Sequence, residues 1–197
     1  MKELIVATKN KGKLREIKEL LKEFDLNITS LAEYPDAPDI IEDGKEFFEN
    51  ALIKARIIAK YTGKLVLGED SGIEVEYLNN APGIFSSRFA GEDANDDDNN
   101  AKLIKALDGV PKDKRTARYR CSAALIDGEK IVGVVDGKCE GYITTEPRGQ
   151  NGFGYDPYFY IEAYGKTFGE LDPEIKSKIS HRAEALMKVK ELIRQAV

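Results

Sequence analysis

The sequence predicts an α/β fold that combines a βα section with an antiparallel section. The apolar run Leu4–Ala7 indicates a buried strand before an amphipathic helix, and a second apolar run, Leu65–Leu67, follows a long helix. Further along, Thr116–Ile126 and Lys130–Cys139 have the composition of strands, and the Asp127-Gly128 pair between them is typical of a hairpin turn. At 197 residues the chain is long enough for one domain or for two lobes that share a core.

Composition and charge limit the classes of protein that fit this chain. Hydrophobic residues make up 42% of it, enough to fill a core, and charged residues make up 33%, which suits a well-solvated protein. The net charge of −5 does not favour a nucleic-acid binder but allows a small anionic substrate held by a local lysine cluster. The sequence has no secretory signal and no apolar stretch near the ~20 residues of a membrane helix. We therefore expect a cytoplasmic protein that binds neither membranes nor nucleic-acid polymers, with Cys121 and Cys139 as free thiols.

The turn after the first strand, Thr8–Lys13, is rich in lysine and precedes a helix predicted from Lys13 to Phe24. A strand, a Gly-Lys pair and a helix invite comparison with a P-loop, which needs glycine five positions before the pair and serine or threonine after it. Ala7 and Leu14 occupy those positions, so the P-loop interpretation fails. Backbone amides at a helix start still attract anions, and the lysines add positive charge. Two interpretations stay open, an anion site and a solvated lysine-rich turn.

A long helix is predicted from about Lys45 to Thr62, with Asp43 and Glu46 as a capping pair at its start. Its core stripe consists of Phe47 or Phe48, Leu52, Ala55 and Ala59. A different face carries Glu46, Asn50 and Lys54, spaced four apart. Such a polar face is usually solvated, and it becomes interesting only if it faces the acids of the strand that follows.

Two adjacent acids, Glu69 and Asp70, follow the run Leu65–Leu67 and precede Ser71-Gly72. Carboxylates at the carboxyl end of a strand lie where α/β sheets usually bind ligands and metals, although a polar turn closed by Ser-Gly is the plain alternative. Ile73–Tyr77 then alternates as a half-exposed strand would. Adjacent strand residues point to opposite faces, so both acids reach one site only if the turn has begun by Glu69. Asp70 therefore ranks above Glu69.

The second half of the chain carries an acidic segment, the hairpin and a glycine-rich segment. Glu92–Asn100 resembles a calcium loop, but counting from Asp93 the positions that require glycine and glutamate hold Asp98 and Ile104. These acids instead favour the start of a helix that runs to about Leu107. The remaining predicted elements are a glycine-rich loop at 147–157, a strand at Tyr158–Ile161, a helical turn from Asp172 to Lys176, and a final helix that Ser180 caps, with Leu186, Val189 and Ile193 facing inward.

Several motifs occur together, in an order and at spacings that resemble a known family. They are Thr8–Lys13 with Glu16, Phe48–Ala51 with Lys54-Ala55, Glu69–Gly72, Ala81–Ile84, Gly152–Pro157 and Ile179–Arg182. Each motif alone is a weak signal. Their combination, which extends from Ala7 to Arg182, resembles the inosine triphosphate pyrophosphatase family, also called the XTP/dITP diphosphatase family.

The resemblance implies both a fold and a reaction. The implied fold is a single domain over residues 1–197, an elongated α/β structure of two lobes around a long curved mixed β-sheet, with the active site in the cleft between the lobes. The implied reaction is Mg²⁺-dependent hydrolysis of noncanonical purine nucleoside triphosphates (ITP, dITP, XTP and dXTP) to the monophosphate and pyrophosphate, which cleanses the nucleotide pool. Members of the family are commonly homodimers.

For the phosphate groups, the resemblance assigns contacts at the lysine-rich turn and on the long helix. The contacts would come from Thr8, Lys9, Asn10, Lys11, Gly12, Lys13 and Lys54, since lysine acts as a mobile point charge on phosphate. Glu42 and Asp70 would bind Mg²⁺, which needs only one or two protein carboxylates beside phosphate oxygens and water. Asp70 also matches the proposed general base for the attacking water, Glu69 could share the metal or the water, and Ser71 would contact the substrate.

For the base, the resemblance assigns contacts in the carboxyl-terminal half. Phe153 would stack on the purine, and Gly152 and Gly154 would let the backbone come close, with Tyr155 beside them. The base edge would be surrounded by Asp156, Lys176, His181 and Arg182. Cationic donors favour the 6-oxo group of hypoxanthine and xanthine over the amino group of adenine, whereas guanine must be rejected at its 2-amino group. Core packing of Phe153 and helix capping by His181 are the alternatives.

Two other functions stay open on the sequence alone. The first is a diphosphatase for modified pyrimidine or other damaged nucleotides on a related scaffold, which a substrate panel distinguishes. The second is a nucleotide-sensing module that binds without turnover. A sensing module would be expected to lack one of the carboxylates that bind the metal, and both Glu42 and Asp70 are present.

Overall fold

The computed structural model describes residues 2–196 and has a mixed α/β fold around an eight-stranded sheet. The strands are β1 (Lys2–Val6), β2 (Leu26–Ser30), β3 (Leu65–Val75), β4 (Ala81–Pro82), β5 (Thr116–Asp127), β6 (Lys130–Ile143), β7 (Phe159–Ile161) and β8 (Lys166–Thr167). The helices are α1 (Lys11–Leu20), α2 (Phe47–Thr62), α3 (Asp96–Ala106), α4 (Pro173–Ile179) and α5 (His181–Ala196). The predicted α/β fold is confirmed.

The sheet is mixed because its two ends pair differently. Its strand order is β2-β1-β3-β5-β6-β7-β8, with β4 paired to β3. Strand β1 pairs in parallel with β2 and with β3. The pairs β3–β4, β6–β7 and β7–β8 are antiparallel. Within residues 2–196, no helix combines the length and the apolar character needed to cross a membrane.

The chain divides into two compact units. The first unit comprises Met1–Asp70, Cys121–Gly137 and His181–Val197, and the second comprises Ser71–Arg120 and Lys138–Ser180. Because each unit contains distant parts of the sequence, neither is a continuous segment. Each is described below by itself.

In the first unit, alternate residues of β3 pack against helices on its two faces, as the period of two in a strand requires. Leu65 and Leu67 belong to one buried cluster with residues of α1 and α5, namely Ile17, Leu186, Val189 and Ile193. Val66 belongs to a second cluster with residues of α2, namely Ala51, Ala55, Ile58 and Ala59. The residues of α5 that face the core, Leu186, Val189 and Ile193, are therefore those that the sequence predicted. Positions 69 and 70, which continue the strand, are expected to face these two helical layers in turn.

The second unit has an aromatic core. The rings of Tyr119 and Phe159 meet edge to face with centroids 4.7 Å apart, and Phe168 lies 5.1 Å from Phe159. Helix α3 contributes Leu103 to the same buried cluster, which also includes Tyr155. This core fixes α3 and the glycine-rich loop at 147–157 within one unit.

Several predicted boundaries of helices were wrong. Helix α1 begins at Lys11 rather than Lys13, because Asn10 caps it by accepting the backbone N–H of Lys13 at 3.0 Å, and it ends at Leu20 rather than Phe24. Helix α2 begins at Phe47, where Glu46 is the first flanking residue and makes no side-chain cap. The predicted Asp43–Glu46 pair is therefore wrong.

The start of α2 is held in another way. The side chains of Glu49 and Asn50 reach back and accept the backbone N–H groups of Lys45 at 2.6 Å and Gly44 at 2.9 Å. Of the two phenylalanines offered for the core stripe, Phe47 is buried and Phe48 is exposed.

The largest difference from the prediction concerns β3. The sequence indicated a strand that ends before the acids, yet β3 continues through Glu69, Asp70, Ser71 and Gly72 to Val75. A strand can run through two buried carboxylates only if cations lie on both of its faces. Those cations come from distant parts of the chain and are described in the next section. Strand β6 likewise continues past Cys139, where the sequence predicted its end, to Ile143.

Gly68 allows β3 and α2 to come into backbone contact. A Cβ atom at this position would lie 2.1 Å from the carbonyl oxygen of Ala51 and 2.9 Å from the Cβ atom of Ala55. Contacts this short would force the helix away from the strand if position 68 carried a side chain. The close approach therefore brings the next strand residue on that face, Asp70, to the polar side of α2.

We expect Gly68→Ala to lower the free energy of unfolding by about 2 kcal/mol, because the added methyl group must displace α2. Urea unfolding measures this change. The matched control is Gly63→Ala at the carboxyl end of α2, where φ is +68° and a Cβ would meet nothing within 4 Å. This control should lose only the cost of a left-handed backbone, about 1 kcal/mol. Equal losses in the two variants would contradict the close-approach argument.

Candidate functional site

The lysine-rich turn between β1 and α1 lies beside the acids of β3. Val6, the last residue of β1, pairs with Leu67, and the N–H of Ala7 donates to the carbonyl of Leu67 at 2.9 Å. The chain then turns into α1, so the helix start and its lysines follow directly after the paired end of β1. Helix starts attract anions because their first backbone N–H groups have no partner within the helix. The geometry thus places an anion-attracting turn next to two carboxylates.

On one face of β3, Asp70 is held by the polar side of α2. The ammonium of Lys54 donates to Asp70 Oδ1 at 2.9 Å, and the amide of Asn50 donates to Asp70 Oδ2 at 3.2 Å. Lys54 also forms an ion pair with Glu42 Oε2 at 2.5 Å. The structure therefore brings together three residues that the sequence assigned to the phosphate and metal sites, namely Glu42, Lys54 and Asp70. It also shows that the polar face of α2 contacts Asp70 through Asn50 and Lys54, whereas Glu46 is exposed.

Burial raises the pKa of Asp70 above the ordinary value of an aspartate, although the nearby Lys54 ammonium opposes this shift. Burial also disfavours the charge of Lys54, but Asp70 and Glu42 outweigh it and raise the pKa of the lysine. Lys54 thus stays protonated between the two acids. A carboxylate with a raised pKa is more basic than an exposed one, which suits Asp70 to accept a proton.

On the opposite face of β3, Glu69 is surrounded by cations from α1 and α5. Its Oε2 atom lies 2.9 Å from the ammonium of Lys13, and its Oε1 atom accepts a hydrogen bond from Arg182 Nη2 at 3.0 Å. Arg182 also pairs with Glu16 through Nη1. The thiol of Cys121 donates to the same Oε1 atom at 3.2 Å. Glu69 and Arg182 are both almost completely buried, so these are interior ion pairs.

The charges on this face have strongly shifted pKa values. Burial opposes the charge of Glu69, but the Arg182 guanidinium and the Lys13 ammonium more than compensate and hold its pKa well below the ordinary value. Burial likewise opposes the charge of Arg182, and the carboxylates of Glu69 and Glu16 raise its pKa. Burial and the charge of Glu69 raise the pKa of the Cys121 thiol well above its usual range. Glu69 is therefore ionised at neutral pH, and Cys121 is a buried neutral thiol, free as predicted.

The two acids thus differ in both position and character. Because β3 is extended at both residues, their side chains point to opposite faces, and the condition for both to reach one site is not met. Asp70 faces Asn50, Lys54 and Glu42. The ranking of Asp70 above Glu69 rested on such a difference in side-chain direction. Glu69 as a catalytic residue stays a prediction, and its ion pairs with Lys13 and Arg182 favour a role in positioning those two cations.

In the second unit, Asp156 holds the turn that carries Phe153. Asp156 Oδ2 accepts the backbone N–H of Phe153 at 2.9 Å and the ammonium of Lys176 at 2.6 Å, while the hydroxyl of Tyr119 donates to Oδ1 at 3.3 Å. The Lys176 ammonium lies 5.1 Å from the centre of the Phe153 ring, within the range of a cation–π contact. The ring of Phe153 is half-buried. Phe153, Asp156 and Lys176, all predicted to bind the base, are therefore neighbours.

Tyr155 lies in the protein interior, where its contacts are structural. It is buried in the aromatic core, and its hydroxyl donates to the carbonyl of Ser86 at 2.7 Å. Burial raises the pKa of this phenol. Its hydroxyl is used to anchor the turn to the 3-10 segment Gly83–Arg88. The predicted contact of Tyr155 with substrate stays a prediction that this geometry does not favour.

The remaining predicted residues lie at the start of α5, in β3 and around the start of α1. His181 and Arg182 open α5 in the first unit and are both buried, with Arg182 bound to Glu16 and Glu69. Their predicted role at the base edge stays a prediction. Ser71 follows Asp70 in β3 and is half-buried. Lys9 and Asn10, in the turn before α1, and Lys11, the first residue of α1, are exposed.

Sequence reasoning missed residues whose partners are distant in the chain. Glu16, on α1, appeared only as part of a motif, and Asn50 appeared in a motif and on a polar helix face without a role of its own. Asp96 and Asn100 of α3 received no role, yet both bind the backbone of Gly154, at 2.7 Å and 2.9 Å. The acids that begin α3 were explained by the helix dipole alone, which accounts for a charge near the helix start but gives no signal of a partner elsewhere.

Gly152 and Gly154 flank Phe153 and both have positive φ, +81° and +62°. A Cβ on Gly152 would lie 1.9 Å from Asp156 Oδ2, whereas a Cβ on Gly154 would meet nothing within 4 Å. We expect Gly152→Ala to displace the Asp156 carboxylate, so that the N–H of Phe153 exchanges with solvent about tenfold faster. Hydrogen exchange followed by NMR measures this rate. Gly154→Ala carries only the backbone strain and is the matched control, and equal exchange rates in the two variants would argue against the Asp156 contact.

Comparison with known proteins gives one consistent result. Residues 4–192 match the model of the Ham1 family. A dITP/XTP pyrophosphatase of Bacillus licheniformis is 50% identical over 196 residues and 100% of both chains, and that of Desulforamulus reducens is 48% identical over 96% of this chain and 94% of its own. Among solved structures, a HAM1 protein from Coxiella burnetii is 41% identical with a TM-score of 0.88, covering 99% of this chain and 100% of its own. A nucleoside-triphosphatase / dITP/XTP pyrophosphatase from Mycobacterium abscessus is 38% identical with a TM-score of 0.75, covering 95% and 97%.

Proposed function

Because the chain belongs to the Ham1 family, we propose that it hydrolyses ITP, dITP, XTP and dXTP to the nucleoside monophosphate and pyrophosphate. The observation that carries this proposal is the cluster of Asp70, Lys54 and Glu42 beside the lysine-rich turn. A triphosphate needs positive charge to hold it and a base to activate water, and this part of the first unit contains both. Relatives that match over the whole chain and are named dITP/XTP pyrophosphatases support the same reaction.

The triphosphate is assigned to the turn Thr8–Lys13 and to Lys54. The start of α1 offers backbone N–H groups, and Lys9, Lys11 and Lys13 add charge around it. Lys13 pairs with the carboxylate of Glu69, and Lys54 pairs with that of Asp70. Phosphate oxygens would therefore bind to ammonium groups that the protein's own carboxylates hold in position, which lowers the entropic cost of ordering them.

Enzymes that cleave nucleotide anhydrides generally use a divalent metal, and the acids here fit Mg²⁺. Glu42 and Asp70 approach the same ammonium group, and burial raises the pKa of Asp70, so the cluster would gain from a second cation. Among residues 2–196, no three side chains of His, Cys, Asp or Glu gather into a complete metal site. Mg²⁺ fits such an incomplete set, since it keeps several waters and takes phosphate oxygens as ligands. When bound, it would orient the phosphates and offset their charge.

Asp70 is the proposed general base. Its carboxylate would accept a proton from the water that attacks the α-phosphorus, while the bond from that phosphorus to the bridging oxygen breaks and pyrophosphate leaves. Burial makes this carboxylate basic, and the hydrogen bonds from Asn50 and Lys54 fix its direction. Lys54 beside it offsets part of the negative charge that develops on the phosphate oxygens.

The base is assigned to Phe153, Asp156 and Lys176 of the second unit. The Phe153 ring offers a face for stacking, and Lys176, held at 2.6 Å by Asp156, offers a cationic donor beside it. A donor there favours the 6-oxo group of hypoxanthine and xanthine over the amino group of adenine. The placement of the site in a cleft between two lobes of a single domain, the homodimer and the cytoplasmic location stay predictions, and light scattering measures the oligomeric state.

A substrate panel tests the proposal. We expect pyrophosphate to be released from dITP, ITP and XTP with Mg²⁺ present, much faster than from dATP or dGTP, and the reaction to stop when EDTA removes the metal. Equal turnover of all triphosphates, or release of orthophosphate alone, would reject the purine pyrophosphatase. Faster turnover of modified pyrimidine triphosphates would favour the alternative substrate class, and tight binding of dITP without turnover would favour a sensing module.

A further inference from the structure

Two side chains at the start of α3, one helical turn apart, hold both polar backbone groups of Gly154, the residue after Phe153. Asp96 Oδ2 accepts the N–H of Gly154 at 2.7 Å, and Asn100 Nδ2 donates to the Gly154 carbonyl at 2.9 Å. Residues four apart lie on the same face of a helix, so the two side chains contact one peptide segment from one side. We propose that Asp96 and Asn100 are positioning residues for purine recognition, which hold Phe153 in the orientation that stacks on the base. This inference rests on the proposed function.

The position of Phe153 is constrained from two directions. Its own N–H is bonded to Asp156, and the next residue is bonded to α3 through Asp96 and Asn100. Gly154 has φ of +62°, a conformation that only external contacts or a missing Cβ make easy to maintain. With two consecutive backbone N–H groups bound by carboxylates from different elements, the backbone that aims the ring has little freedom. The Phe153 side chain has only two rotatable bonds, so a fixed backbone leaves only a few rotamers for the ring.

Helix α3 is itself rigid at this end. Asn95 caps it in a reciprocal pair with Asp98, at 3.0 Å and 3.1 Å. The next polar residue on its inner face, Asn99, accepts the N–H of Ala90 at 2.8 Å and donates to the carbonyl of Ser87 at 3.1 Å. The helix start is therefore fixed independently of Gly154, as a support for a binding loop must be.

Asn100 has an orientation that packing alone does not explain. It is 7% exposed, and its Oδ1 atom accepts no hydrogen bond from any residue within 2–196. A buried acceptor without a donor destabilises the folded state. The Asn100 amide nonetheless points its Nδ2 donor toward the Gly154 carbonyl. We therefore take the hydrogen bond to that carbonyl as the role of this side chain. The N–H of Gly154 is likewise occupied, which assigns recognition of the base to the Phe153 ring and to Lys176 rather than to that N–H.

The test compares Asp96→Ala with Asp97→Ala. Asp97 is an exposed acid in the same turn of α3, so its removal changes the net charge and the helix dipole equally while leaving the Gly154 N–H bonded to Asp96. We expect Asp96→Ala to raise KM for dITP about tenfold with a smaller change in kcat, since base stacking contributes to binding more than to the chemical step. The preference for dITP over dATP should fall with it. Asp96→Asn keeps an acceptor oxygen and should recover most of the wild-type KM.

One further measurement keeps the outcome decisive. Hydrogen exchange should show faster exchange of the Gly154 amide in Asp96→Ala and not in Asp97→Ala. If that amide is released while KM and the preference for dITP match the control, the positioning role is overturned. If both variants lose activity equally on dITP and dATP, a general structural role replaces it. A wild-type protein with no turnover of dITP contradicts the proposed function itself, which is a separate result from equal behaviour of the two variants.

Discussion

Replacing Asp70 with asparagine is expected to lower the rate of pyrophosphate release from dITP by about 10³-fold while leaving the protein folded. The amide cannot take a proton from water at neutral pH, and it removes one of the two carboxylates proposed for the metal. A loss of this size corresponds to about 4 kcal/mol of transition-state stabilisation. Steady-state assays at saturating Mg²⁺ measure it, with thermal unfolding of the same sample to verify the fold.

Stability should change little in this variant, because the folded protein does not favour the charge of Asp70. Burial raises the pKa of this acid, so its ionised form is less favourable in the folded chain than in the unfolded chain. Asparagine keeps an oxygen for Lys54, and Lys54 keeps its ion pair with Glu42. We therefore expect a change in the free energy of unfolding of no more than about 1 kcal/mol.

The matched control is Asp43→Asn, the same chemical change at an exposed position next to Glu42. It should retain wild-type turnover and stability. Near-normal turnover by Asp70→Asn would reject the general base and the metal ligand together. A variant that loses activity only because it unfolds would show a lowered melting temperature, which separates a failure to fold from a loss of chemistry.

The parts of the site that sequence predicted are those whose information is local. The spacing of Asn50 and Lys54 put them on one helix face, and the period of a strand put Glu69 and Asp70 on opposite faces. The lysines of the turn Thr8–Lys13 stood next to a predicted helix start. In each case, the pattern that made the prediction extends over a few residues, and the structure needed only to pack that element.

The parts that sequence did not predict depend on partners far along the chain. Arg182 meets Glu69 across 113 positions and Glu16 across 166 positions, and no periodicity connects them. The same reason explains the wrong prediction for β3. Two adjacent acids destabilise a buried strand unless cations meet them, and those cations come from α1, α2 and α5, so the sequence around the acids indicated a turn.

Replacing Glu69 with glutamine is expected to destabilise the protein by about 3–5 kcal/mol at neutral pH, in contrast to the same kind of change at Asp70. Glu69 is 2% exposed and Arg182 is 1% exposed, so removing the carboxylate leaves a guanidinium and the Lys13 ammonium without their shared counter-charge. Glutamine can accept a hydrogen bond but cannot balance either charge. Urea unfolding of the protein without substrate or metal measures the loss.

The pH dependence gives this prediction a second, independent readout. The pKa of Glu69 lies well below its ordinary value of 4.5 in the folded protein, so its ionised form stabilises the fold. That contribution is fully present above the ordinary value and is lost as pH falls through the folded-state pKa. The difference in stability between wild type and Glu69→Gln should therefore be constant from neutral pH down to about pH 5 and then shrink in stronger acid.

The matched control for this change is Glu23→Gln, because Glu23 also pairs with two cations, Lys190 and Arg194, but at the surface of the same unit. Exposed ion pairs are screened by solvent and contribute little to stability, so the control should lose little stability and show no comparable dependence on pH. Similar losses in the two variants would mean that burial adds nothing to the Glu69 pairs. A large loss at Glu69 alone, with Asp70→Asn stable, would establish that two neighbouring acids of β3 have separate roles, one holding cations in place and the other left basic for chemistry.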